Sequence, residues 1–327
     1  MHTMRIAVLL ALLAPPAGAA TLEVGPGSSI QAAIDAAGDG DLVRVAAGTF
    51  SEDIDFRGKA ITVVGAGAAS TLLHGSGRGP VVTFAGGEGP DAVLDGLTIT
   101  GGVALRGGGV RIVGSSPTVL RTIIAGNAAV ERGSGVYVEA SQASLRNNLI
   151  VYNRSAGGDP HSVEIQDGAP RLVNNTIARG DSNGIIVRGV AAPLIVNNVI
   201  AYNGSSGAGG RRGRGICDFS GGRARIRYNV FSRNRIAALL TDGTDFHRIR
   251  AAEARIAPPR LEGNRDGRPS FPRTLPREVA DARLPEHFRL RAGAASRAID
   301  AGDSDPAYAD RDGSRNDVGF TGGPDAW

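Results

Sequence analysis

The chain has 327 residues, of which 48 are Gly and one is Cys, with 42% hydrophobic residues and a formal net charge of +4. A single cysteine excludes an internal disulfide, and frequent glycine without a persistent 3.6-residue apolar stripe excludes a helical bundle. The positive charge comes almost wholly from arginine, since Lys59 is the sole lysine.

The first residues read as a secretory signal. Arg5 precedes the apolar run IAVLLALLA, and Ala17-Gly18-Ala19 suits cleavage before Ala20, so residues 1–19 are expected to be removed. The run is too short to span a bilayer, and no later segment is long and apolar enough to do so. The expected location is secreted or periplasmic. Next comes a cap: TLEV is a short strand, Ser28 and Gln31 fit a capping box, and Ile30, Ala33, Ile34 and Ala37 share one helical face. Such a helix would shield the open end of the structure that follows.

From Ser116 to Asn234 one phrase is written five times, as SPTVLRTIIAGN, ASLRNNLIVYN, APRLVNNTIARG, APLIVNNVIAYN and ARIRYNVFSRN. Thr122, Asn148, Asn175, Asn198 and Asn229 form its centre. Val119, Leu145, Leu172, Ile195 and Ile226 stand three residues before it, and Ile124, Ile150, Ile177, Ile200 and Phe231 two after it. Asn127, Asn153, Gly180, Asn203 and Asn234 make a further column five after the centre. A short repeat of variable length marks a solenoid with insertions in its loops. Each unit is too poor in apolar residues to bury a face alone and must stack on its neighbours. The central Asn is expected to turn inward at a bend, its amide bonded to the Asn one coil away.

A second strand follows in each coil: GVRIV, GVYVE, SVEIQ, GIIVR, GICDF and ALLTD. Alternation places Arg111, Tyr137, Glu164, Ile186, Cys217 and Leu240 in one outward column, and Val113, Glu139, Gln166, Arg188, Phe219 and Asp242 in the next. The predicted fold class is all-β: a right-handed parallel β-helix solenoid over residues 20–242, with a short N-terminal capping helix. The NNxI phrase and the coil length resemble the pectin-lyase-like superfamily of β-helix proteins. That resemblance implies the fold and leaves the activity open.

Residues 243–327 lose the pattern. They are read as an irregular Pro- and Arg-rich segment, then a closing stretch with IDAGD and DRDGSRNDVG that resembles the C-terminal module of many bacterial β-helix proteins. This stretch is expected to cap the C-terminal end. Its Asp303, Asp305, Asp310, Asp312 and Asp317 could supply oxygen ligands to Ca²⁺, the one cofactor expected; alternatively they cap backbone N–H groups in tight turns.

Asp159-Pro160-His161 resembles three of the four residues of the Asp-Pro-His-Asp/Glu motif of β-helix mannuronan C5-epimerases. The resemblance implies that His161 and Asp159 act on the C5 proton of a uronate, with outward-facing Arg188 neutralising its carboxylate. Position 162 is Ser where the motif has an acid. The alternative is a plain loop turn with His161 exposed. Tyr137, Glu139, Glu164 and Gln166 are candidate binding residues on the outward face. Arg211, Arg212 and Arg214 open a cluster that would attract a polyanion. With few aromatics and export, that partner is expected to be an acidic polysaccharide rather than nucleic acid. Three functions follow: a glycan-binding protein, a polyuronate lyase or C5-epimerase, or a structural or adhesive surface protein. A monomer is expected.

Overall fold

A computed structural model describes residues 18–158, 161–204, 213–253, 255, 260–267, 302–310, 314–319 and 321–322. It shows a right-handed parallel β-helix. Among the described residues three long sheets run along the coil, of ten, nine and nine strands, with a three-stranded outer sheet beside them. One coil illustrates the path. Val136–Ser141 lies in sheet C, Ser144–Arg146 in sheet A and Leu149–Val151 in sheet B; Arg154–Ser155 joins the outer sheet before Val163–Gly168 returns to sheet C.

The columns read from the sequence are the rungs observed. Val119, Leu145, Leu172, Ile195 and Ile226 pair in register along sheet A. Ile124, Ile150, Ile177, Ile200 and Phe231 do so along sheet B. All ten side chains belong to one buried core. Sheets A and B meet at a two-residue bend. Its first residue is left-handed: Arg121, Asn147, Asn174, Asn197 and Tyr228 have φ of 47°, 54°, 55°, 58° and 52°. Asn tolerates this conformation better than most residues. The second residue turns inward. Asn148 donates from N and Nδ2 to Asn175 Oδ1, both at 3.0 Å, and Nδ2 also reaches Val119 O at 2.9 Å. Asn175, Asn198 and Asn229 repeat this arrangement one coil on.

The ends are closed by helices. In α1 (Ile30–Ala36) Ile30 and Ile34 are buried against the first coils. The N-cap is Ser29, one residue after the expected Ser28, and its hydroxyl accepts from Ala32 N. Gln31 does not complete a capping box. It bonds to the backbone of Asp55, and Glu52 accepts from Ile30 N and Gln31 N instead. Tertiary contact thus supplies the acceptor that local sequence was expected to give. Lys59 Nζ donates to the carbonyls of Ile34, Asp35 and Ala37, closing the other end of the helix.

The segment from 243 differs from its sequence reading in two ways. First, it contains more of the solenoid. Leu261–Glu262 extends sheet A, Arg265–Asp266 extends sheet B, and Asn264 continues the amide ladder. Before them α2 (Ile249–Glu253) buries Ile249 and Ala252 in the main core and covers the last coil. Second, the described part of the closing stretch lies along the flank of the coil, not over its end. Asp303 N donates to Asn197 Oδ1, Asn174 and Asn316 exchange amide bonds, and Asn147 Nδ2 donates to Gly322 O. The left-handed Asn residues point these amides outward, where the tail bonds Asn147 Nδ2, the Asn174 amide and Asn197 Oδ1. Val318 adds an apolar contact, joining Ile123, Leu149, Val199 and Val230 in a cluster on the outer face of sheet B.

Candidate functional site

Sheet C carries the polar columns. The first column pairs in register as expected, Arg111 with Tyr137, Glu164, Ile186, Cys217 and Leu240. It is not an open face, however. Tyr137, Glu164, Ile186 and Cys217 are each at most 2% exposed. The outer sheet, Val103–Arg106, Ala128–Arg132 and Arg154–Ser155, is joined to sheet C by close turns. Gly133 has φ 55°, and a Cβ there would fall 2.4 Å from Val136 O and 2.9 Å from Tyr137 Cβ. A glycine is therefore needed for the chain to return this close over the strand.

Glu164 is the centre of the buried column. Arg188 Nε donates to its Oε1 at 3.1 Å, and Arg132 of the outer sheet lies 3.4 Å from the same oxygen. Burial pushes the Glu164 carboxyl above its ordinary range, against the opposing pull of Arg188 and Arg132. Arg132 also donates to Gln166 Oε1 at 2.9 Å, which joins the buried column to the next one. Tyr137 donates its hydroxyl to Glu139 Oε2 at 3.1 Å, and burial raises its pKa first, with Glu139 adding to the effect.

The second column reaches solvent. Glu139, Gln166 and Arg188 are half-buried, and Phe219 is 47% exposed. The Arg188 guanidinium sits 5.4 Å from the Phe219 ring centroid. Glu164 engages Arg188 through Nε. Nearby, Arg260 bridges buried Asp218 and exposed Asp242 at 2.9 and 3.0 Å.

Asp159 lies outside the described residues, as do Arg211, Arg212 and Asp312. His161 is buried, neither exposed on a loop nor joined to Arg188 by any described contact. Its Nδ1 is 3.1 Å from Ser182 Oγ and 3.2 Å from Asn183 Nδ2. Asn183 Oδ1 accepts from Gly213 N and Arg214 N, which fixes the amide orientation. Asn183 Nδ2 can only donate, so His161 Nδ1 is an acceptor and the neutral ring carries its proton on Nε2. Ser162, at the motif position where an acid was wanting, points its Oγ to within 2.1 Å of where a Cβ on Gly180 would lie. It fills the gap that Gly180 leaves in the second Asn column. The stretch around His161 thus ties neighbouring coils together.

Arg214 makes a two-pronged ion pair with Asp245, whose carboxyl it holds below the usual range. Three described tail carboxylates cap the backbone. Asp303 accepts from Asp305 N, Asp305 from Ala307 N and Asp310 from Asp317 N. Asp303 also lies 3.6 Å from Arg227. Among the described residues no three His, Cys, Asp or Glu side chains gather around a point that could hold a metal ion, so the Ca²⁺ expectation has no support there.

One signal in the sequence was passed over. The sheet B strands IIA, LIV, TIA and VIA are nearly continuous apolar runs, which marks strands covered on both faces. The Arg and Tyr residues one place before the inward column, and their outward Asn equivalents, likewise foretold a partner for the flank.

Comparison with known proteins gives a family match and a fold. A family model described as "Periplasmic copper-binding protein (NosD)" matches residues 88–252. No curated protein matches significantly. The crystal structure of pectate lyase Pel9A is similar with a TM-score of 0.54 at 16% identity, covering 93% of this chain and 96% of that one. At that identity the likeness shows the fold alone. A mannuronic acid specific family 6 polysaccharide lyase from human gut microbiota has a TM-score of 0.38 at 14% identity, covering 68% of this chain and 51% of that one. A pectin methylesterase from carrot has a TM-score of 0.36 at 14% identity, covering 68% and 83%. No described helix is long and apolar enough to cross a membrane.

Proposed function

The chain belongs to the NosD family of right-handed β-helix proteins, and from that premise we propose that it is a periplasmic or secreted protein that binds an acidic polysaccharide along sheet C. The reading rests on one observation: Arg188 and exposed Phe219 lie side by side on neighbouring coils, a cation beside an apolar ring face. A pyranose ring can pack on the aromatic face while the guanidinium meets its carboxylate. Successive coils are about 4.8 Å apart, a step close to one sugar residue, so Glu139, Gln166 and Asp242 could contact neighbouring units of the same chain. Binding is favoured over catalysis because His161 is buried within the coil, with Nδ1 held by Ser182 and Asn183.

The family description names copper. The described residues do not fit that ion. Cys217 is buried in the first column, and the described histidines, His74, His161 and His247, are engaged separately, with Gly75 O, with Ser182 and Asn183, and with Ile236 O. Copper sites draw on converging imidazole, thiolate or thioether ligands, and no such convergence occurs among the described residues.

The test is affinity electrophoresis through gels with and without polygalacturonate. Wild type should be retarded by the polymer, and Phe219→Ala should weaken retention by about tenfold. Absence of retardation of the wild type, or an unchanged Phe219→Ala, would overturn the reading.

A further inference from the structure

A second site lies on a different face. Strands Ser144–Arg146 and Arg171–Val173 of sheet A form one wall of a cleft, and the 3-10 turn Pro306–Tyr308 of the tail forms the other. The cleft has a volume of about 220 Å³. That is below the range for drug-sized ligands and suits a single sugar ring. Arg171 Nη2 donates to the Tyr308 hydroxyl oxygen at 3.2 Å. Among the described residues no carboxylate pairs with Arg171. The neighbouring tail carboxylates are engaged elsewhere, Asp305 capping its own turn and Asp303 with Asp305 N and Arg227. Three other arginines meet acids: Arg121 with Asp95, Arg214 with Asp245, Arg260 with Asp218. Among the described residues the side-chain partner of Arg171 is the Tyr308 phenol.

We propose that this cleft binds the oxyanion of a small acidic sugar, held by the Arg171 guanidinium and the Tyr308 O–H. With an oxyanion present, Arg171 donates to it and the phenolic proton turns to it as a second donor. Ser144 and Arg146 line the same cleft. A carboxylate and a phosphate share this chemistry. Because Tyr308 stands 137 residues from Arg171 in sequence, the site is complete only while the tail is docked. Ligand binding and tail docking are therefore linked, each strengthening the other.

The full exported chain would be titrated by calorimetry with galacturonate, with glucose 1-phosphate and with neutral galactose. Saturable binding of either acidic sugar, with none by galactose, is expected, and the stronger of the two identifies the anion. Arg171→Ala should weaken that binding by about tenfold or more, and Tyr308→Phe by a few-fold. The bound sugar should also slow hydrogen exchange of the tail amides of Asp303, Gly319 and Gly322. Failure of both acidic sugars to bind, or full affinity in Arg171→Ala, overturns the proposal. Arg171 is exposed, so its loss leaves the coil intact. Polymer retention through Phe219 on sheet C is a separate measurement, so either reading can fail without the other.

Discussion

Two columns of asparagine stand one residue apart in the same bend, and they find their partners in opposite ways. The inward column is partnered by itself: the amides of Asn148, Asn175, Asn198 and Asn229 each bond the next coil's amide and a carbonyl of the coil before, as far as Asn264. The outward column, Asn147, Asn174 and Asn197, is partnered by the tail, through Gly322 O, Asn316 and Asp303 N. The Asn174–Asn316 contact spans 142 residues, whereas Asn148–Asn175 spans 27. The interior is thus closed by repetition, and the exterior by segments that occur once. The same contrast holds on sheet C, where a single outer sheet covers Glu164 with Arg132.

The largest expected effect comes from breaking the inward column. Asn175→Ala removes the acceptor of Asn148 N and Nδ2 and the donor to Leu145 O, all buried. Chemical denaturation should show a loss of about 3–4 kcal/mol. A loss below about 1 kcal/mol would mean that the ladder adds little to stability.

Next comes the covered carboxylate. The folded state raises the Glu164 pKa through burial, so it holds the proton more tightly than the unfolded chain does. Its contribution to stability is present below the ordinary glutamate value and lost as pH rises through the raised one. Urea midpoints taken between about pH 4 and about pH 8 should therefore carry a falling component that Glu164→Gln removes. If the variant shows the same slope, other groups set it.

Breaking the outward column should be milder and local. Asn316→Ala deletes the reciprocal amide pair with Asn174 and should cost about 1–2 kcal/mol of tail docking. Faster hydrogen exchange at Asp303 and Gly319, with an unchanged midpoint for the coil, is the expected signature. Loss of both together would show that tail and coil unfold as one. The smallest effect is expected at the N-terminal cap. Lys59→Met removes the cation from the Ile34, Asp35 and Ala37 carbonyls and should lower stability by about 1 kcal/mol. Thermal unfolding would detect it, and an unaltered midpoint would mean that solvent replaces the ammonium without loss.

Much of the coil was legible because each rule recurs. Five copies of one phrase reveal which residue faces in, since a residue that faced out in one coil and in at the next would break the register. The coil at Leu261–Asp266 was missed because it holds LEGN alone, without the flanking strand pattern of its predecessors. The site was less legible. Alternation correctly placed Tyr137, Glu164 and Cys217 on the outward side, but it carries no information on what lies over them. His161 looked like a chemical group because of two neighbours in sequence, while its contacts come from Ser182 and Asn183 one coil on.

Sequence by itself determined the winding, the columns and the inward amides, because stacking like on like satisfies strands and side chains with partners of the same kind. Only the tertiary structure decided which outward residues meet water. That choice depends on unique segments, the outer sheet over Glu164 and the tail over Asn174, whose docking partners lie on distant coils. The open Arg188–Phe219 pair and the Arg171–Tyr308 cleft are both consequences of where those covers stop.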